Sequence, residues 1–354
     1  MRLYSLGELE WKDTQLLYHA MAHLGFEGIV VCRSKDPYFC VGFHQGLDQE
    51  LDVKQLDDLG EPYFRRETGG GTVRLDKGQI FYQVIIRRDN PKCPPNPERF
   101  YERYLQPVVD ALLKIGLGAI VANSNDVQVG GKKISGNGGG EVGECKVLVG
   151  DVLVDFDPEL MARGLNCPSE HFRQSCLRSM NENMTTVRLE RPQTTVEEVE
   201  RAMRMAYLRL CNDGEAMALP PEVVQKAREL EKKYMAKAWL HFPGPKRPGR
   251  RVKVREGVHV AVLTINEGDD GPICGHFHIE TKDGALDLID IIPDQSSPAK
   301  MDGHLRCIKV VGDALAKKDG QFNKDLHRLL QDMDIPKDGL DGILSDLKRR
   351  VSKL

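Results

Sequence analysis

Apolar positions along this chain change their period several times, and each change marks an element. Residues 2–6 alternate as a strand does, and Asp13 or Thr14 stands where a cap opens a helix to about Leu24, before Gly25. Ile29 to Cys40 reads as extended and runs into Val41-Gly42-Phe43-His44-Gln45. Phe100, Tyr101, Tyr104, Leu105, Val108, Val109, Leu112 and Leu113 recur at helical spacing, which predicts a helix over 97–117 with Gly116 as its stop. Alternation near 127–134 and 147–156 predicts strands, and 63–86 places a glycine loop between two strands. Further helices are expected from Thr195 to about Leu210 and over 221–240.

The stretch Phe242-Pro243-Gly244-Pro245-Lys246-Arg247-Pro248-Gly249-Arg250-Arg251 carries three prolines and four cations in ten residues and reads as a linker. Beyond it the pattern predicts strands near 252–265, 275–282 and 286–292, then helices over about 306–316 and 323–333. The expected organisation is a larger domain over 1–242, a linker at 243–251 and a small α+β domain over 252–354. The expected class is α/β of the α+β type, a mixed central sheet flanked by helices.

At 354 residues the chain is long enough for two such cores. A formal net charge of −3 gives no nucleic-acid footprint. No apolar run approaches the roughly 20 residues that span a bilayer, so no membrane association is expected. The start lacks a hydrophobic signal core, with Glu8, Glu10 and Asp13 close behind it, and nine scattered cysteines form no regular framework. The expected compartment is the cytoplasm.

Candidate chemistry concentrates in two places. Arg65-Arg66-Glu67-Thr68-Gly69-Gly70-Gly71-Thr72-Val73 sets three bare peptide units beside an arginine pair, a natural seat for a phosphate or carboxylate. Asn125-Asp126 is followed by Gly131-Lys132-Lys133-Ile134-Ser135-Gly136. Neither fits the commoner nucleotide motifs. No Gly-Lys is followed by Ser or Thr, and the glycine run leads into strand rather than helix. Taken singly, each has a plainer reading: a surface loop, a solvated lysine, an Asn-Asp turn.

Together the two segments resemble the catalytic domain of lipoate–protein ligases, which is shared with octanoyltransferases and, more distantly, biotin–protein ligases. The family's first motif, Arg-Arg-x-[Ser/Thr]-Gly-Gly-Gly-x-Val followed by Asp, reads here as Arg65 to Val73 with Asp76. Its second, Asn-Asp, a spacer and Lys-[Ile/Val]-Ser-Gly, reads as Asn125-Asp126 and then Lys133-Ile134-Ser135-Gly136. The match runs to about residue 240 and is thin beyond it.

The resemblance implies an enzyme that joins lipoate, or octanoate, to AMP from ATP with Mg²⁺ and passes the acyl group to a lysine. The implied partner is an apo lipoyl-carrier domain: the E2 subunit of a 2-oxoacid dehydrogenase, a glycine cleavage H protein or an H-like protein. It gives Lys133 the catalytic role at the acyl carbonyl and phosphate. Arg66, Gly69, Gly70, Gly71, Thr72, Val73, Arg74, Asn125, Asp126, Ser135 and Gly136 become ATP- and lipoyl-AMP-binding positions, Asp126 the Mg²⁺ ligand, and Gln45 a residue that faces the site. Such chemistry needs no side-chain nucleophile: the site holds two anions together, neutralises them and keeps water off the activated acyl group.

Related octanoyltransferases use a cysteine instead. The stretch Ile120 to Ser124, where one group carries it, has none, but Leu165-Asn166-Cys167-Pro168 sits where another group does, so Cys167 is the alternative nucleophile. A non-catalytic relative that binds a lipoyl carrier is the other rival. The chain departs from the family where Gly136-Asn137-Gly138-Gly139-Gly140 follows the lysine motif and Val149-Gly150 stands in place of His-Gly. The extra glycines are expected to loosen the backbone beside Lys133. Cys274, His276 and His278 share one face of a predicted strand; that spacing supplies three zinc ligands and no fourth, and a solvated strand face is the expectation.

Overall fold

A computed structural model describes residues 1–122, 125–211, 218–245, 247–266, 273–293, 302–316, 320–333, 335 and 340–351. The chain forms two compact units, one of Met1–Asn166 with Asn181–Pro245, the other of Cys167–Met180 with Lys246–Leu354.

The first unit contains β1 (Leu3–Leu9), β2 (Gly28–Ser34), β3 (Tyr38–Val41), β4 (Tyr63–Arg65), β5 (Val73–Leu75), β6 (Gln79–Arg87), β7 (Ala119–Ala122), β8 (Asp126–Val129), β9 (Lys132–Val142) and β10 (Cys145–Leu153). Seven of them make one sheet in the order β1-β2-β6-β10-β9-β8-β7, and β4-β3-β5 make a second. The large sheet is mixed, since β1 runs parallel to β2 while β2, β6, β10, β9, β8 and β7 pair antiparallel.

Both faces of that sheet are covered. Helices Pro97–Lys114 and Val196–Leu208 seat Tyr104, Leu105, Val108, Met203 and Tyr207 among Ile29, Tyr82, Val84 and Leu148. Helices Asp13–Leu24 and Pro221–Tyr234 bring Leu16, Met21, Val223 and Ala227 to Val30, Phe81, Ile85 and Val147. Local signals fix the ends. The Asn96 side chain accepts from Glu98 N–H ahead of Pro97, and Thr195 and Glu198 close a reciprocal capping box. Gly130 and Gly131, with φ of 57° and 80°, turn β8 into β9.

The pattern misplaced several features. Lys12 stands at the N-cap of the first helix without a side-chain capping bond, and Asp13 is already inside the helix. The extended run from Ile29 divides into β2 and β3, and the region 221–240 holds two helices, the second being Lys237–Leu240. The glycines after Lys133 do not loosen the backbone; they belong to an eleven-residue strand, β9, paired along its length with β10.

In the second unit β11 (Arg250–Arg255), β12 (Val258–Asn266), β13 (Ile273–Lys282) and β14 (Ala285–Pro293) form an antiparallel meander. Helices Asp302–Ala316, Gln321–Gln331 and Leu340–Val351 cover one face, packing Val311, Leu315, Leu326, Leu330 and Leu347 on Leu263, Phe277, Ile279 and Ile291. Helix Glu170–Asn183, absent from the sequence reading, starts in this unit. Its His171 lies edge-on to His278 of β13, with ring centroids 4.7 Å apart. His278 is therefore buried rather than solvated, and burial, then the neighbouring His171 and His276, push its pKa down to about 3. Among the described residues no group of three His, Cys, Asp or Glu is placed to hold a metal, and the Cys274 side chain lies outside them. No described helix is long and apolar enough to cross a membrane.

Candidate active site on the glycine-covered sheet face

Successive side chains on β9 point to opposite sides. Asn137 turns toward Tyr82 and the helices beyond it, while Gly136, Gly138 and Gly140 leave a bare track on the other side. The loop at 68–71 lies on that track: Gly69 N–H donates to the Gly139 carbonyl at 2.9 Å. A Cβ on Gly138 would come within 2.7 Å of the Gly69 oxygen, and one on Gly42 within 2.3 Å of the Gly70 oxygen. The two glycine runs, 69–71 and 136–140, are thus two halves of one close backbone approach.

The arginines hold this loop rather than wave above it. Arg66, 5 % exposed, donates to the carbonyls of Gly69 at 2.9 Å, Gly71 at 2.7 Å and Cys40 at 3.3 Å. Its guanidinium brings fixed positive charge to the underside of the loop. Arg65 is fully buried and donates to the carbonyls of Phe43, Gln45, Leu240 and Phe242, a structural clamp. Arg74 is buried against Asp76 at 2.8 Å and Glu61 at 3.3 Å. Thr72 donates toward Gln45 Oε1 at 3.2 Å and Glu50 Oε2 at 3.3 Å, Val73 is half-buried on β5, and Gly71 is exposed. Gln45 turns its amide oxygen back to Gly42 N–H at 2.9 Å.

Glu67 anchors the loop on its far side. It accepts from His23 at 3.0 Å and from Lys233, and its backbone N–H donates to His19 Nε2 at 3.0 Å. Burial alone would raise the Glu67 pKa, but the hydrogen bonds from His23 and Lys233 outweigh it and hold the carboxyl below the usual range. Burial pushes buried His19 down to about 4.

Lys133 stands at the head of β9, where its Nζ pairs with Asp126 Oδ1 of β8 at 3.1 Å. The Asp126 carboxylate is buried and the lysine side chain remains 19 % exposed, within reach of a ligand. Behind the lysine, Ser135 Oγ lies 2.8 Å from Tyr82 Oη, which also donates to Asn137 Oδ1, and Asn137 Nδ2 donates to the Asn125 carbonyl at 2.8 Å. That chain of bonds ties the two halves of the Asn-Asp and Lys-Ile-Ser-Gly motif together. Thr185 N–H donates to the Lys133 carbonyl at 2.8 Å and fixes its backbone. The Asn125 side-chain oxygen is buried without a hydrogen-bond partner.

Asp151 of β10 completes the group, and the sequence reading did not single it out. Its carboxylate is buried and accepts from Gly136 N–H at 3.2 Å. Burial pushes its pKa up to about 6, against the opposing pull of Lys133 and that N–H. The available signal was one carboxylate in the middle of the apolar run Val147 to Val154. Cys167 is half-buried, is not disulfide-bonded, and opens the second unit.

The sequence pattern of the lipoyl protein ligase A/B catalytic domain matches residues 11–208. An octanoyltransferase LipM of Kyrpidia tusciae is 26 % identical over 227 residues, covering 57 % of this chain and 82 % of that protein. A lipoate-protein ligase A subunit 1 of Thermoplasma acidophilum is 26 % identical over 211 residues, 56 % of this chain and 79 % of that one. Among solved structures, the bi-partite lipoate protein ligase of Thermoplasma acidophilum, described with its E2 lipoyl domain, superposes with a TM-score of 0.60 at 23 % identity. The superposition covers 69 % of this chain and 98 % of that one.

Proposed function

This chain belongs to the lipoyl protein ligase A/B catalytic-domain family, and we propose that within it the protein is an ATP-dependent lipoate–protein ligase. It would join lipoate to AMP and then transfer the lipoyl group to a lysine of a lipoyl-carrier domain. The observation that carries this reading is the Lys133–Asp126 pair beside a glycine loop underpinned by Arg66. Adenylate chemistry asks for a cation at the point where carbonyl and phosphate oxygens meet, in a place where two anions can lie against backbone. Lys133 is that cation, and the exposed edge of the loop at Gly70 and Gly71, with Gly136 beside the lysine, is that backbone.

Asn125 Oδ1 and the Asp126 carboxylate are hard oxygen donors of the kind Mg²⁺ takes; they would hold it at the phosphates, where its charge lowers the cost of bringing two anions together. Lys133 would polarise the acyl carbonyl, and the buried Tyr82-Ser135-Asn137 bonds keep its strand in place.

The second reading, acyl transfer through a Cys167 thioester, is favoured by the octanoyltransferase among the relatives. Intact-mass analysis of an apo lipoyl domain incubated with this protein and lipoate, with and without MgATP, separates the two. A lipoyl mass increment that requires MgATP is the expected result. Octanoylation from acyl carrier protein without ATP, lost in Cys167→Ser, overturns it.

A further inference from the structure

The Lys133 ammonium faces a second carboxylate. Lys133 Nζ and Asp151 Oδ1 each lie 3.3 Å from one point, the place a Cβ on Gly136 would occupy. Because Gly136 has no side chain, that point is a notch with an ammonium on one wall and a carboxylate on the other. Asp151 pairs across the strands with Gly136, and its side chain shares the sheet face that the glycine loop covers. A substrate carbonyl held by Lys133 is therefore within reach of the Asp151 carboxylate.

Transfer has a proton problem that activation does not. A lysine side chain in water holds its third proton until about pH 10.4, and as an ammonium it has no lone pair to attack with. Accepting the ligase reading as premise, we propose that Asp151 is the base that takes this proton from the acceptor lysine. The Asp151 oxygen receives one proton and becomes a carboxylic acid. The freed nitrogen lone pair forms the C–N bond to the acyl carbon, and the bond from that carbon to the AMP phosphate oxygen breaks. AMP leaves with the electron pair, and the second nitrogen proton departs to its phosphate as the amide forms. The groups that face Asp151 electrostatically are Lys133 on β9, Asp76 after β5, and Tyr82 on β6. A carboxyl titrating near pH 6 is ionised at neutrality and still basic enough to accept a proton in the transition state.

The test supplies lipoyl-AMP directly and follows single-turnover transfer to an apo lipoyl domain by intact mass from pH 5 to 9.5. The wild-type rate is expected to rise tenfold per pH unit to about 6 and stay level above. The neutral isostere Asp151→Asn is expected to be about 10²-fold slower at pH 7, since a positioned base typically contributes about 10²–10⁴. Its rate then climbs through pH 9 with the free-amine fraction. A wild-type rate that itself climbs to pH 9 overturns the assignment without recourse to any variant, as does an Asp151→Asn protein that matches the wild type at every pH. Wild-type protein inert toward supplied lipoyl-AMP overturns the ligase reading and this assignment together.

Discussion

Lys133 and Asp126 form an ion pair at 3.1 Å in which one partner is buried and the other is partly open to ligand. The two residues are held on neighbouring strands, so the ammonium is fixed in place before any ligand binds. Lys133→Ala is expected to slow both adenylate formation and transfer by about 10²–10³-fold, the usual effect of removing one preorganised donor. It also takes the cation away from a buried carboxylate, at a cost of about 3 kcal/mol in urea unfolding. The double variant Lys133→Met, Asp126→Leu should recover most of that stability and none of the activity. A single variant with normal lipoylation removes Lys133 from the mechanism.

Arg66 supports the glycine loop from beneath. Three carbonyls depend on its planar fork, which a lysine cannot reproduce. Arg66→Lys is therefore expected to fail nearly as badly as Arg66→Ala, with MgATP affinity down at least tenfold by calorimetry and stability lower by about 2–3 kcal/mol. Full rescue by lysine would mean that charge alone matters and that the fork does not.

Two glycines on β9 make opposite demands. At Gly138 a methyl group meets the Gly69 carbonyl at 2.7 Å, backbone against backbone, so Gly138→Ala must lift the loop and is expected to cost about 1–3 kcal/mol together with activity. At Gly136 the nearest atoms are the flexible end of Lys133 at 3.1 Å and the Asp151 carboxylate at 3.3 Å. Gly136→Ala should melt within a few degrees of wild type while losing most transfer activity. Thermal melts paired with the mass assay decide between the two behaviours.

His19 is buried neutral, its Nδ1–H donating to the Gln15 carbonyl and its Nε2 accepting from Glu67 N–H. Its pKa in the folded chain, about 4, lies below that of an unfolded histidine, so the unfolded state binds the extra proton first. The stability it supports is present above about pH 6.5 and is lost as pH falls toward 4, by up to about 3 kcal/mol. In His19→Gln the decline in melting temperature between pH 7 and 5 is expected to be shallower. An unchanged slope would place the acid sensitivity elsewhere.

Much of the first unit was legible because its buried faces are apolar at regular spacing, as in the helix Pro97–Lys114. Helix Glu170–Asn183 escaped for the converse reason. Its buried positions are Phe172, Ser175, Cys176, Ser179, Met180 and Asn183, a helical stripe in which half the members are polar. β9 escaped because glycine is a poor strand former whose presence there answers to a loop some seventy residues earlier. The resemblance pointed to the motif lysine and its aspartate, which the fold brings into an ion pair, but not to the inward turn of Arg66. A motif records which residue is needed, and only the fold tells which way it points. Asp151 carried no motif, only its place as one carboxylate in an apolar run, and its meaning comes from the glycine across the ladder.

The allocation of residues 167–180 to the second unit means that the chain passes between the two units three times, at 166/167, 180/181 and 245/246. Neither unit can be excised as one continuous piece. A truncation at the proline-rich stretch would take the β11–β14 sheet away from His171 and Phe172, which lie against His278, and would expose those side chains to water. During synthesis helix Glu170–Asn183 emerges well before the strands of its unit, so the second core closes only after Leu340–Val351 has been made. A gene fusion or fission at the linker alone would therefore part residues 167–180 from the rest of their unit.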